Sequence, residues 1–198
     1  GSRLGVLTHP YLMASLSDNR QSSPIHRGVL LARSVLGVSL RPPPVAVAPI
    51  AADLHPNLST RERVTLQTKP KQCMTCHGII NPLGFTLERF DAIGRIRDTD
   101  GGKPIDDSGS YRNVNGRTVE IAGPRSLAET LARSEEVHAS FAEQLFHHLV
   151  QQPVRAYGPE TINLLQQAFV DQDMNIRKLA VEVMAVSALV GREPDGGT

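Results

Sequence analysis

Apolar residues recur at helical spacing through most of this chain, broken by two polar stretches that read differently. Ser23-Pro24 supplies an N-cap and an N1 proline, and Ile25, Val29, Leu30, Ala32, Val35 and Leu36 follow at helical period, so a helix is predicted there with Gly37 as its stop. His9 to Leu16 predicts a shorter helix with Thr8 as N-cap and Pro10 in its first turn, and Ser17 to Ser23 reads as a polar loop. Ser59-Thr-Arg-Glu62 has the form of a capping box and predicts a helix running toward Leu66 or Thr68. Pro70 suits the first turn of the next helix, and the residues after His77 read as a turn with apolar anchors. Beyond Gly123 four helices are predicted: Pro124 to Arg133, Ser134 to about Gln151, one opened by Gly158-Pro159, and Ile176 to Val190 closed by Gly191 and Pro194. In the second of these Val137, Phe141, Leu145 and Leu149 mark the periodic stripe, and in the third Ile162, Leu164, Leu165 and Phe169 lie inside.

The first interruption runs from Arg41 and Pro42-Pro-Pro44 through Pro49 to Pro56, where missing N–H donors rule out regular helix and central strand. It reads as an extended wrap around a core rather than as a docking segment for a proline-binding module. The second, Asp98 to Gly123, is rich in Gly, Asp and Asn, and Asn115-Gly116 between Ser110–Val114 and Arg117–Ile121 predicts a β-hairpin. Asp98, Asp100, Asp106 and Asp107 invite a calcium reading, but the spacing fails the helix–loop–helix calcium template and an acidic turn is expected instead.

Composition changes this picture little. A formal charge of +1 argues against a general nucleic-acid binder, and no stretch approaches the 18 apolar residues of a membrane span. No segment has the layout of a signal peptide, and Gly1-Ser2 reads as a cloning remnant, so the chain is taken as a piece of a longer polypeptide. With 40% hydrophobic but only 4% aromatic residues and no tryptophan, a bound flat apolar group would suit the core.

Candidate chemistry centres on Cys73-Met-Thr-Cys76-His77, which uses both cysteines of the chain. Two thiols at this spacing suit thioether links to the vinyl groups of a haem, and the next histidine then sits beneath the iron as an axial ligand. A structural zinc site wants four Cys or His ligands in clustered pairs, and a thioredoxin-like dithiol wants a preceding strand. Residues 61–72 are polar and supply no such strand, and a Cys73–Cys76 disulfide would restrain little. The Pro82 carbonyl is a candidate acceptor for the His77 Nδ1–H, and Leu83 and Phe85 are candidates to pack on a porphyrin. For the second axial position Met13 and His9 are favoured, at i, i+4 on one short helix; His147 or His148 come next, then Met174 and Met184, while Met74 is excluded. Arg27, Arg61, Arg63, Arg89, Arg95 and Arg97 are candidate partners for propionates, with Arg89 and Arg95 preferred because they flank Phe90-Asp91. No Ser-His-Asp set, phosphate-cradling loop or spaced acidic pair supports hydrolysis.

Arg3 to Pro10, Ser23 to Gly28, Pro42-Pro-Pro44, the Cys73–His77 motif, Asn81 to Arg95 and Pro104 to Gly109 together resemble the C-terminal part of large planctomycete-type cytochrome c proteins. Phe146 to Gly158 and Asn175 to Leu179 resemble the small helical domain that ends those chains, although Gln151-Gln-Pro153 stands where many relatives carry a different turn. Both matching domains are of unknown function, and in such proteins they follow other modules, some of them carbohydrate-binding. The resemblance implies one covalent haem c at Cys73 and Cys76 with His77 as proximal ligand.

The expected architecture is mainly α: a cytochrome c-like haem-binding helical region with a Pro-rich wrap over 1–97, a β-hairpin connection over 98–123, and a four-helix C-terminal bundle over 124–198. The expected function is single-electron transfer within a larger periplasmic or cell-surface redox protein, with a redox partner or upstream domains of the same chain as partners. The alternatives are a haem enzyme or gas- or peroxide-binding sensor with an open distal site, and a non-haem structural or interaction domain. An electron-transfer module is favoured over a catalyst.

Overall fold

The computed structural model describes residues 3–18, 21–40, 55 and 57–190. Apart from His55, the Pro-rich segment 41–56 lies outside these residues, as do Gly191 and Pro194. The described residues are mainly helical with three small antiparallel hairpins, and the chain divides into two compact units, Gly1–Arg133 and Ser134–Thr198.

In the first unit the local signals act where they stand. A 3-10 turn, Val6–Thr8, leads into α1, Pro10–Ser15. Its cap is His9 rather than Thr8: His9 Nδ1 accepts from the Tyr11 N–H at 3.3 Å, while the Thr8 hydroxyl accepts from the Leu4 N–H. The loop that follows is a short hairpin, β1 Ser17–Asp18 against β2 Gln21–Ser22. Ser23 and Pro24 open α2, Pro24–Val29, which widens into a π-helical turn, Leu30–Val35. The reciprocal Ser59–Glu62 capping box opens α3, Thr60–Thr68.

Pro70 precedes α4, Lys71–Phe85. No turn follows His77; the helix carries on for two more turns with Pro82 inside it. Proline there removes one backbone donor, and tertiary packing overrides the loss, because α4 is the hub of the unit. α2 and α3 pack on it, and so does β5, Ser108–Arg112. Ile80, Leu83 and Phe85 are buried from α4 itself, and Leu31, Val64 and Tyr111 from its neighbours. A fully buried Leu83 alone is worth roughly 1.5–3 kcal/mol.

Where α2 meets α4, backbone touches backbone. A Cβ on Gly28 would overlap the Ile80 carbonyl oxygen, and one on Gly84 would overlap that of Pro24. Hydrogen at these two positions is what lets the helices close.

After α4 the chain turns through a Phe90–Ile96 bridge into β3, Thr99–Asp100, and β4, Lys103–Pro104. β5 then pairs with β6, Thr118–Ala122, with Tyr111 opposite Val119. The expected hairpin is present, but its loop is one residue longer than Asn115-Gly116 alone implies. The Asn113 N–H donates to the Arg117 carbonyl at 2.9 Å and the Gly116 N–H to the Asn113 carbonyl at 2.8 Å. Gly116, at φ 73°, therefore serves as the left-handed residue of a three-residue loop. α5, Gly123–Ala132, packs on β6 and belongs to the first unit, not to the C-terminal helical region.

The second unit holds α6, Glu135–Val150, a 3-10 turn Val154–Tyr157, α7, Thr161–Asp171, and α8, Ile176–Leu189. With α5 assigned elsewhere, its described residues hold three α-helices in place of the expected four-helix bundle. Phe146 packs edge-to-face on Tyr157 at 5.1 Å, above Leu165, Leu179 and Val183. The face of α6 that goes inside is His138, Ala142 and Phe146, one position on from the expected stripe, and Phe141 and Leu149 stay 37% and 39% exposed. Phe141 nonetheless stacks on Phe169 at 5.3 Å. In α7, Leu165 and Phe169 are buried while Leu164 faces out.

Candidate functional site

Cys73, Cys76 and His77 stand in the first two turns of α4, at i, i+3 and i+4, so the three side chains share one helical face. The turn is set from below by Pro70, whose carbonyl accepts the Cys73 N–H at 2.8 Å. Both thiols are free and half-buried, as is the imidazole, while Met74 points elsewhere and is exposed. Two free thiols and an imidazole on one helical face, none sealed in the core, are compatible in residue type with a covalently held haem.

The imidazole is held from behind. His77 Nδ1 lies 2.8 Å from Asn81 Oδ1, one turn along the same helix. Asn81 Nδ2 donates to Thr68 Oγ1 on α3 at 2.8 Å, and that hydroxyl donates to the Val64 carbonyl at 2.7 Å. Asn81 thus fills the role that sequence reasoning gave to the Pro82 carbonyl, which instead abuts Gly109 of β5 so closely that a Cβ there would overlap it. The missed signal was a His–Asn pair at helical i, i+4 spacing, hidden because Pro82 made the segment read as a turn. Phe85 is 5% exposed, and its ring lies under the Arg61 guanidinium at 4.4 Å.

The six candidate propionate partners all have protein partners of their own. Arg89 bonds Asp107 at 2.7 Å and Asp98 at 3.1 Å, and Arg95 bonds Asp91 at 2.9 Å. Arg61 donates to the carbonyls of Asp106 and Ser108, and Arg63 to the carbonyl of Leu58 and to Gln21 and Thr60. The expected acidic turn is thus a row of counterions for these arginines. The Ser108 hydroxyl and N–H and the Arg61 charge hold the Asp106 carboxyl below its ordinary range. Burial pushes Asp100 up, but the Thr60 N–H and the Arg97 and Arg63 guanidiniums bring it lower overall.

Arg27 is fully buried and sits in a cage of oxygens: the carbonyls of Phe90 at 2.7 Å, Leu87 at 2.8 Å and Asp91 at 2.9 Å, and more distantly Met13. Glu88 lies 3.7 Å away, 3% exposed, and also meets Arg97 and Ser22 at 3.0 Å. Burial pushes the Glu88 carboxyl up and Arg27 down to about 10, which leaves the guanidinium charged at neutral pH. Arg27 Nε and Glu88 Oε1 make no hydrogen bond. Sequence reasoning missed this pair, and no local pattern marks it.

Of the axial candidates, Met13 has no exposed surface and His9 has a ring nitrogen engaged in the α1 cap. His147, His148, Met174 and Met184 all belong to the second unit and are exposed there. Among the described residues no three His, Cys, Asp or Glu side chains gather as metal ligands, so a four-ligand zinc site lacks its set. A groove of about 750 Å³ runs between α3 and the β3–β4 turn, bordered by Arg61, Glu62, Leu66, Lys69, Lys103 and Ile105. Its charges pair across the rim, Lys103 with Glu62 at 2.7 Å and Arg61 with Asp106 at 3.3 Å. No helix among the described residues is long and apolar enough to cross a membrane.

Residues 3–100 match the PSCyt3 family, described as a protein of unknown function (DUF1588), and this stretch holds the whole motif, the Thr68–Asn81–His77 chain and the Arg27 cage. The match supports a domain-of-unknown-function family for that half, and the family's name hints at a cytochrome-like module. No curated protein and no solved structure matches the chain.

Proposed function

We propose that residues 3–100 form a c-type cytochrome module that carries one haem, thioether-linked to Cys73 and Cys76 with His77 as axial ligand, and passes single electrons within a larger periplasmic or cell-surface redox protein. The observation that carries this reading is the grouping of two free, half-buried thiols and a half-buried imidazole on one face of α4. Haem iron, when bound, supplies a one-electron couple whose potential its axial ligands and burial tune. The chain's own part is to hold the thiols one turn apart, to orient the imidazole through Asn81, and to brace α4 from α2, α3 and β5. Donor and acceptor are a separate redox protein or upstream domains of the same polypeptide, with polysaccharide-associated modules as further candidate partners.

A second reading is a haem centre with an open distal position that binds a gas or peroxide. The full burial of Met13 favours it, since that candidate ligand is packed inside the protein.

The experiment is expression with a cytochrome c maturation system, followed by intact-mass measurement and a pyridine haemochrome spectrum. Wild type is expected to gain the mass of one haem and show the c-type spectrum, and the Cys73→Ala, Cys76→Ala double variant to gain neither. Matured wild-type protein with no added mass and no Soret band defeats the proposal. Carbon monoxide binding to the ferrous form separates an open distal position from a filled one.

A further inference from the structure

We infer that Thr68 and Asn81 are positioning residues that fix the His77 ring in the tautomer with its proton on Nδ1 and a bare lone pair on Nε2. The Val64 carbonyl can only accept, so the single Thr68 hydroxyl proton goes to it, across 2.7 Å. Thr68 Oγ1 is then an acceptor toward α4, and the group that meets it at 2.8 Å is the Asn81 amide nitrogen. With its NH₂ end turned to Thr68, the Asn81 amide presents its oxygen to His77. An amide oxygen has no proton to give, so the hydrogen in the 2.8 Å contact belongs to His77 Nδ1. A neutral imidazole has one N–H, and Nε2 is therefore unprotonated.

Burial makes the chain directional. Thr68 is 4% and Asn81 6% exposed, so water does not compete to turn either group around. A neutral histidine in water prefers its proton on Nε2, and the relay reverses that preference. It also starts on α3 and ends on α4, so the orientation of the ring is set from the neighbouring helix. Metal-bound histidines commonly donate their second N–H to such a partner, which raises ligand basicity. The inference rests on the cytochrome reading only in saying what the bare Nε2 is for.

The test reads the tautomer without haem. In the uniformly ¹⁵N-labelled 198-residue chain, long-range ¹H–¹⁵N correlations of the imidazole rings are recorded at about pH 8, above the ordinary histidine pKa. His77 is expected to be protonated on Nδ1 in wild type. Asn81→Leu should move it to the Nε2-protonated form, Asn81→Asp should retain Nδ1–H, and Thr68→Val, which frees the amide to turn, should give a mixture. Wild type found with its proton on Nε2, or an unchanged ring in a folded Asn81→Leu chain, overturns the inference. Should Asn81→Leu fail to fold, the near-isosteric Thr68→Val decides instead: a ring that stays fully Nδ1-protonated there overturns it. In haem-loaded protein the same relay is read as a midpoint potential, lowered by Asn81→Asp and raised by Asn81→Leu. If haem never attaches but His77 carries its proton on Nδ1, the cytochrome reading fails and the relay stands.

Discussion

Arg27 shows how much one side chain can organise. Its guanidinium donates to the carbonyls of Leu87, Phe90 and Asp91 in the turn after α4, and those of Leu87 and Asp91 also accept the Phe90 and Gly94 N–H groups, each at 3.1 Å. Removing this buried cation takes the guanidinium from the Phe90 carbonyl and leaves the buried Glu88 carboxyl with Arg97 as its remaining cation, so Arg27→Met is expected to cost roughly 3–5 kcal/mol, read as a drop in the urea midpoint of the first unit. Arg27→Lys should recover only part of the loss, because an ammonium cannot match the spread of a guanidinium fork.

Glu62 makes the opposite case at the surface. The Lys103 ammonium and the Ser59 N–H hold its carboxyl at about 2, against an ordinary 4.5. A carboxyl whose folded pKa is depressed contributes its stability in full above the unfolded value and loses it as pH falls toward the folded one. The window is therefore about 4.5 down to about 2. Melting temperature measured across it should fall more steeply for wild type than for Glu62→Gln. Parallel slopes would show that the box and its lysine contribute nothing measurable.

Among the elements, the glycine contacts give the sharpest expectation. Alanine in a helix interior normally gains roughly 0.5–1 kcal/mol over glycine. At Gly84 the new methyl meets the Pro24 carbonyl, so Gly84→Ala should instead destabilise, by about 1–3 kcal/mol as for other overpacked sites, in a chemical denaturation series. Gly116→Ala has open space around it but a positive φ, and should cost roughly 1–2 kcal/mol through backbone strain alone.

Elements whose signals are local were legible in advance. Ser23, Ser59 with Glu62, and Ser134 cap helices where their side chains could be read to do so, because a cap involves only the next three residues. What depended on distant parts was not legible. The length of α4 past Pro82 is set by three neighbours, and the buried stripe of α6 is chosen by α7 and α8, which favour Phe146 over Phe141. The candidate site divides the same way. Cys73, Cys76 and His77 were plain from the motif, whereas the partner of His77 needed the fold to bring Thr68 and Asn81 together.

For the molecule as a whole, the two units have separate cores, and each can be probed by itself. Phe146 lies at the centre of the second one with no exposed surface. Phe146→Ala should cost about 3–5 kcal/mol and show as faster amide exchange throughout α6, α7 and α8. Undiminished protection there would mean that the aromatic pair with Tyr157 is not what holds these helices.

The glycine crossing of α2 and α4 has a mechanical meaning for the motif. Ordinary helix pairs meet through side chains that can change rotamer, and so absorb a small displacement. Here Gly28 rests on the Ile80 carbonyl, three residues beyond His77, with nothing compliant in between. A shove on α2 is delivered to the imidazole's own helix almost undamped, as through a rigid strut.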